Sequence, residues 1–225
     1  MNQTVTPAPG PSGKQILKRI GETISDGLFT LVKWNVLFLF TCVPIITIGP
    51  ALTALLFCTN ALVKDDLPQE RASALYLNTF RACFLRALPS GLLTLAVCLV
   101  FGTGFFLYSR MISAQPVYIP FASLSLIVLF FFWGVMIHLF PRFVKETDWG
   151  KKTVTATDES MRTLFSQATS DALLRIRKTI PALLLAAFFL LGQLLLFPVT
   201  VPLTVTIGFS MPALAVAFAH TDPEL

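Results

Sequence analysis

Few side chains in this chain could do chemistry. The first candidates are four cysteines, Cys42, Cys58, Cys83 and Cys98. No two of them stand at metal-ligand spacing, and no secreted disulfide frame is visible. Each lies in an apolar or amphipathic stretch, where a free cysteine acts as a small packing residue. His138 could ligate a metal or relay a proton, but it stands alone near the end of an apolar run. No second ionisable group lies near it in an apolar segment, so it reads as a satisfied interface residue. Lys33, beside Trp34 near the start of the first apolar run, reads as a snorkelling anchor at headgroup level. Asn35, Asn60 and Gln193 are the main polar groups within the apolar runs. Such groups bridge packed helices more often than they catalyse.

Longer signatures are missing. The sequence has no G-x-x-x-x-G-K-[ST] phosphate loop, H-E-x-x-H, C-x-x-C or G-x-S-x-G elbow. That argues against a self-powered pump, a metalloprotease, a redox carrier and a serine hydrolase. Ionisable residues deep in the apolar runs are nearly missing, although proton-coupled transport needs them. The reading is therefore non-enzymatic, with no catalytic, cofactor-binding or metal residue assigned and no cofactor expected.

The elements that position these residues are membrane elements. Apolar residues make up 55% of the 225 and charged residues 13%, against about a quarter charged in soluble domains. The apolar runs are long enough for hydrocarbon spans. The net charge of +5 is concentrated between them, which fits cytoplasmic loops rather than a nucleic-acid surface.

Residues 1–13, rich in Pro and Gly, read as a disordered tail, and 14–225 as a single helical membrane domain. The first apolar run starts too late and is too long for a cleavable signal. Six spans are expected, over 28–42, 50–63, 89–108, 118–140, 181–197 and 202–219. Three amphipathic helices accompany them. One, over 14–27, feeds the first span. The second lies within 64–87, after a polar connector, and turns Ala72, Leu75, Tyr76, Phe80, Cys83, Phe84 and Ala87 to one face. The third precedes Pro181, with Thr157 and Asp158 as caps and an apolar stripe of Met161, Leu164, Phe165, Ala168, Ala172 and Ile176. On the third span, Ser90, Thr94, Cys98 and Gly102 recur every four residues, a small-residue face for helix packing. Gly208 and Pro212 mark a kink in the last span. Two segments echo each other: ALVKDD and RFVKET each end a span, and an amphipathic helix, a basic residue, a proline and a new span follow.

Loop charges set the topology. Lys14, Lys18 and Arg19 precede the first span, Lys64, Arg71, Arg81 and Arg86 follow Val63, and eight Lys and Arg lie between 142 and 178. The positive-inside rule puts all three regions in the cytoplasm. Leu28–Val63 must then cross twice, turning at Pro44 to Pro50, or enter and leave on one side as a re-entrant hairpin. Two short crossings are the first reading, with both termini cytoplasmic in a multi-pass protein of the cytoplasmic membrane.

The same turn carries a family resemblance. The run WNVLFLFTCVPIITIGPALTALLFCTNALVKDD is similar to the hallmark of the YesL family of bacterial membrane proteins, DUF624, a domain of unknown function. Its "LPxxTxGxxxxAL" core falls on Pro44, Thr47, Gly49, Ala54 and Leu55, with Val43 in place of the usual Leu and Pro50 following the Gly. A FPRF-like span end at 140–143, an entry at 174–181 and G-F-S-x-P at 208–212 fit the later pattern. The resemblance implies an all-α polytopic fold and no settled activity. It also implies association with carbohydrate uptake loci, beside binding-protein-dependent sugar transporters. The function expected is thus accessory or regulatory to carbohydrate uptake, with the bilayer and such a transporter or its regulator as partners and no nucleic acid. The alternative is a small solute transporter or channel in its own right.

Overall fold

The computed structural model describes residues 13–63, 72–112, 115–148, 153–196 and 201–220. Most of the expected tail, the connector after Val63, Trp149, Lys151, Lys152 and the Pro198 turn lie outside them. The chain folds into eight α-helices and one small β-hairpin among these residues. Helix α1, Gly13–Thr41, is followed by a 3-10 turn at Ile45–Thr47 and α2, Ile48–Val63. Helix α3, Ala72–Met111, pairs with α4, Ile119–Leu139, across a turn at Pro116–Tyr118. Strands β1, Val144–Asp148, and β2, Thr153–Ala156, follow. The remaining helices are α5, Met161–Leu174, α6, Ile176–Leu195, α7, Val201–Ile207, and α8, Ser210–His220.

The fold is that of an all-α polytopic membrane protein. Four helical stretches are long and apolar enough to cross a membrane: Ile45–Val63, Ala72–Met111, Pro116–Phe143 and Ile176–Gln193. Gly27–Thr41 is apolar but shorter, and the expected last span is two short helices with a break between them. Six spans are therefore matched by four helices of crossing length.

Helix α2 is the hub. It packs against α1, α3, α8 and the 3-10 turn Phe140–Phe143 that follows α4. Ala51, Ala54, Cys58 and Ala61, spaced for one helix face, are all buried. Small side chains let neighbouring backbones approach, the main attraction available where lipid is as apolar as the core. Outside this hub the chain shows its apolar side chains to the exterior. Leu99, Phe106, Leu124, Ile127 and Phe188 are exposed, the inverse of a soluble protein.

Three local readings change. The amphipathic helix before Pro89 and the span after it form one 40-residue helix, with Pro89 inside. A proline removes one backbone donor, and flanking packing absorbs the loss. In the second half of the echo, the amphipathic α5 and the span α6 stay separate, parting at Arg175 (φ −100°, ψ 24°). The segment after Phe143, expected only as part of a basic cytoplasmic region, forms an antiparallel hairpin, with Val144 paired to Ala156 and Lys145 to Thr155. Thr157 N–H closes its base on the carbonyl of Phe143 at 3.0 Å. The cap of α5 is consequently Ser160, whose hydroxyl accepts from Arg162 N–H at 3.3 Å, rather than Thr157 or Asp158. Of the stripe expected on α5, Leu164, Ala168 and Ala172 are buried, whereas Met161, Phe165 and Ile176 are exposed.

Candidate functional site

The motif turn between α1 and α2 is built from backbone satisfaction upward. Helix α1 stops at Thr41, three residues before Pro44, which leads the 3-10 turn in an extended conformation (φ −78°, ψ 112°). Thr47 is buried, with its hydroxyl against the carbonyls of Thr41 and Pro44. Its N–H also reaches Pro44 O at 2.9 Å. Thr41 donates its hydroxyl back to Leu37 or Phe38 O and lies 2.8 Å from Tyr76 Oη. The Tyr76 hydroxyl also points at Ala51 O, 3.5 Å away on α2. Tyr76 is fully buried and so ties the start of α3 to this turn. Pro50 stands in the first turn of α2, where a missing N–H costs nothing. Its carbonyl lies 3.8 Å from Cys83 Sγ.

Gly49 explains the glycine of the motif. A Cβ there would stand 2.7 Å from Gly91 Cα and 2.9 Å from Gly91 N, and would also strike the carbonyl of Ala87. A Cβ on Gly91 would stand 2.6 Å from Gly49 Cα. The two helices cross backbone to backbone, and only glycine at both positions permits it. Ala54 and Leu55 are buried further along α2.

The small-residue face of α3 is used unevenly. Ser90 and Thr94 are buried, and their hydroxyls bond back to Ala87 O and Ser90 O, each at 2.8 Å. Cys98 is partly buried. Gly102 faces open space, with nothing within 4 Å of an added Cβ.

A second polar site was legible only in part. Asn35, read as a packing residue, is fully buried on α1. Its amide donates to Thr204 O at 2.8 Å and Val205 O at 2.7 Å, and its oxygen accepts from Phe209 N–H at 2.8 Å and Ser210 N–H at 3.1 Å. Gln193 on α6 donates to Gly208 O at 3.0 Å. The kink expected at Gly208 is thus a full break between α7 and α8. Its loose backbone groups are taken up by two side-chain amides from other helices, which satisfies them without water. Gly208 is held tightly, since a Cβ would meet Thr204 Cα at 2.6 Å. A G-F-S-x-P signal can reveal the break but cannot reveal its partners.

The remaining candidates settle into the frame. Trp34 is not a headgroup anchor: it is fully buried, and its indole N–H donates to Ala72 O at 2.9 Å. Lys33 lies 4.4 Å from the centre of the Phe29 ring, a cation–π contact. His138 is buried and 3.0 Å from Thr179 Oγ1, joining α4 to α6. Cys58 and Cys83 are buried and free. At the polar end, Arg142 of the FPRF turn pairs with Asp171 and donates to Gln167 Oε1 at 2.6 Å, fastening α5. Arg86 reaches the carbonyl of Glu159. A cleft of about 520 Å³ opens there, edged by Arg142, Lys145, Asp158, Glu159 and Gln167.

This arrangement defines a helical membrane protein whose interior polar groups brace turns and breaks. Within that class, residues 31–105 match the family model described as "Protein of unknown function, DUF624", a third of the chain, and the match supports membership of that family. The YesL likeness of the turn motif is consistent with it. No curated protein and no solved structure matches the chain.

Proposed function

We propose that the protein is a non-enzymatic accessory or regulatory component of carbohydrate uptake in the cell membrane. The observation that carries this reading is the use made of the interior polar side chains. Asn35, Gln193, Thr41, Thr47, Tyr76 and the His138–Thr179 pair all spend hydrogen bonds on the fold itself. The accessible polar chemistry lies instead at the end of the helices, around the cleft of Arg142, Lys145, Asp158 and Glu159, a surface suited to docking a soluble or membrane partner. The sugar link comes from the family resemblance. The test is affinity purification in mild detergent from cells grown on different sugars. Recovery of identified subunits of a binding-protein-dependent sugar transporter, or of its regulator, is expected. Their absence under every sugar would overturn the reading.

A second reading has one observation in its favour. The α7–α8 break inside the helical bundle is the kind of discontinuity that small-solute transporters use to bind cargo. Proteoliposomes would then show solute flux that is lost on Gly208→Leu. No flux across a broad panel of sugars and ions would remove it.

A further inference from the structure

Two helical turns of this protein, α1–α2 and α3–α4, differ in a way that locates one of them. The α3–α4 turn has interface chemistry: Tyr108 and Tyr118 stack at 6.1 Å, and Arg110 lies 4.8 Å from the Phe106 ring. Tyrosine and arginine at a helix end mark the headgroup level. The α1–α2 turn carries none of this. Its outward residues are Phe40, Val43, Ile45 and Ile46, exposed by 72, 76, 66 and 55%. From Trp34 to Val63 the sequence has no charged residue. The backbone of the turn is also largely closed on itself: Cys42 N–H reaches Phe38 O at 2.9 Å, Val43 N–H reaches Phe40 O at 3.4 Å, Pro44 has no N–H, and Thr47 covers two carbonyls. Such a turn suits hydrocarbon far better than water.

Its depth can be read along α3. Gly49 touches Gly91, and from Gly91 to Tyr108 the helix runs on with no further proline. Those seventeen residues rise about 26 Å, or about 24 Å along the bilayer normal at an ordinary tilt near 20°. The 3-10 turn and Ile48, which joins it to Gly49, extend about 8 Å. The tip therefore stops well short of the face where Tyr108 and Tyr118 stand. Helix α1 returns beside α2, with Gly27 against Leu62, so both ends of the hairpin lie on one side.

We propose that α1 and α2 form a re-entrant hairpin whose tip, Phe40 to Ile46, ends among lipid acyl chains short of the Tyr108–Tyr118 face. The occupant of this exposed apolar tip is the hydrocarbon of the bilayer. The test uses single cysteines in a background with Cys42, Cys58, Cys83 and Cys98 changed to Ala, reconstituted in vesicles. Val117→Cys, in the other turn, should react with a membrane-impermeant maleimide from one side. Ile45→Cys should react from neither side, and should react fully once the vesicles are dissolved in denaturing detergent. Labelling of Ile45→Cys from the Val117 side would establish two full crossings, and labelling from the opposite side would place the tip in water; either overturns the proposal. Should the cysteine-free protein fail to fold, Val43→Trp in the native background decides. Lipids brominated on the acyl chains should quench its emission well beyond that of the parent protein, and no added quenching would overturn the proposal.

Discussion

Gly49 and Gly102 are both glycines on apolar helices, and only their surroundings tell them apart. An added methyl at Gly49 strikes the backbone of Gly91, which cannot move without its whole helix. Overpacking of that kind costs about 1–3 kcal/mol. At Gly102 the methyl meets nothing, and alanine in a helix interior gains about 0.5–1 kcal/mol over glycine. Gly49→Ala and Gly91→Ala should therefore lower the thermal midpoint in detergent, while Gly102→Ala should leave it level or raise it. Equal midpoints for Gly49→Ala and the parent would remove the close crossing. Asn35 is the other residue with an outsized role. Asn35→Leu strands four backbone groups, each costing about 1–3 kcal/mol where no water replaces the amide. A net loss of about 3–5 kcal/mol is expected, at the severe end of single substitutions. Asn35→Gln should not restore it, because one more methylene misplaces both ends of the amide. A Gln variant as stable as the parent would show that the clamp is loose. At this scale the sequence was half legible. The glycine of the motif could be seen, but Gly91, its partner 42 positions on, belongs to no pattern. Trp34 stands beside a lysine, the ordinary mark of an interface, and is nonetheless core.

Elements follow from periodicity where one face is buried, and here that rule covers α2 and the first half of α3. It fails where lipid lies on the other side, because lipid-facing and core-facing positions are both apolar. Met161, Phe165 and Ile176 sat in the expected stripe of α5 and are nonetheless exposed. The hairpin of β1 and β2 is hard to see in the sequence because Lys145, Glu146 and Asp148 give β1 the composition of a connector. The β-branched run Thr153-Val154-Thr155, with Gly and Lys before it, was the signal available. Arg142, in the turn that leads into the hairpin, fastens α5 with a guanidinium that spans Asp171 and Gln167. Both partners are about a third exposed, so the ion pair itself contributes little, within about 1 kcal/mol. The larger effect is on order. Arg142→Ala should increase proteolytic cutting between 157 and 175 several-fold at nearly unchanged thermal midpoint, with Arg142→Lys intermediate because a single ammonium cannot bridge both partners. Unchanged cutting would assign the docking of α5 to Leu164, Ala168 and Ala172 alone.

For the whole molecule, the order of stability should follow distance from α2. This helix has protein on most sides, whereas much of α3 beyond Thr94 and of α6 faces lipid. The bilayer hides lipid-facing helices from water but does not lock their packing. Amide exchange in nanodiscs should therefore show α2 and the adjoining part of α3, from Leu75 to Gly91, exchanging last. The informative region is the α7–α8 break. An open break in a solute pathway would be wet, and its amides at Phe209 and Ser210 would exchange quickly. A break braced by Asn35 and Gln193 should protect those two amides nearly as well as the helices beside them. In Asn35→Leu the same two amides should become fast while α2 stays slow, because the clamp and the Gly49–Gly91 crossing share no side chain and distant sites act independently. Fast exchange at Phe209 and Ser210 in the parent protein would favour the transporter reading over the accessory one. Slow exchange there, lost only when Asn35 is replaced, would mark the break as part of the brace.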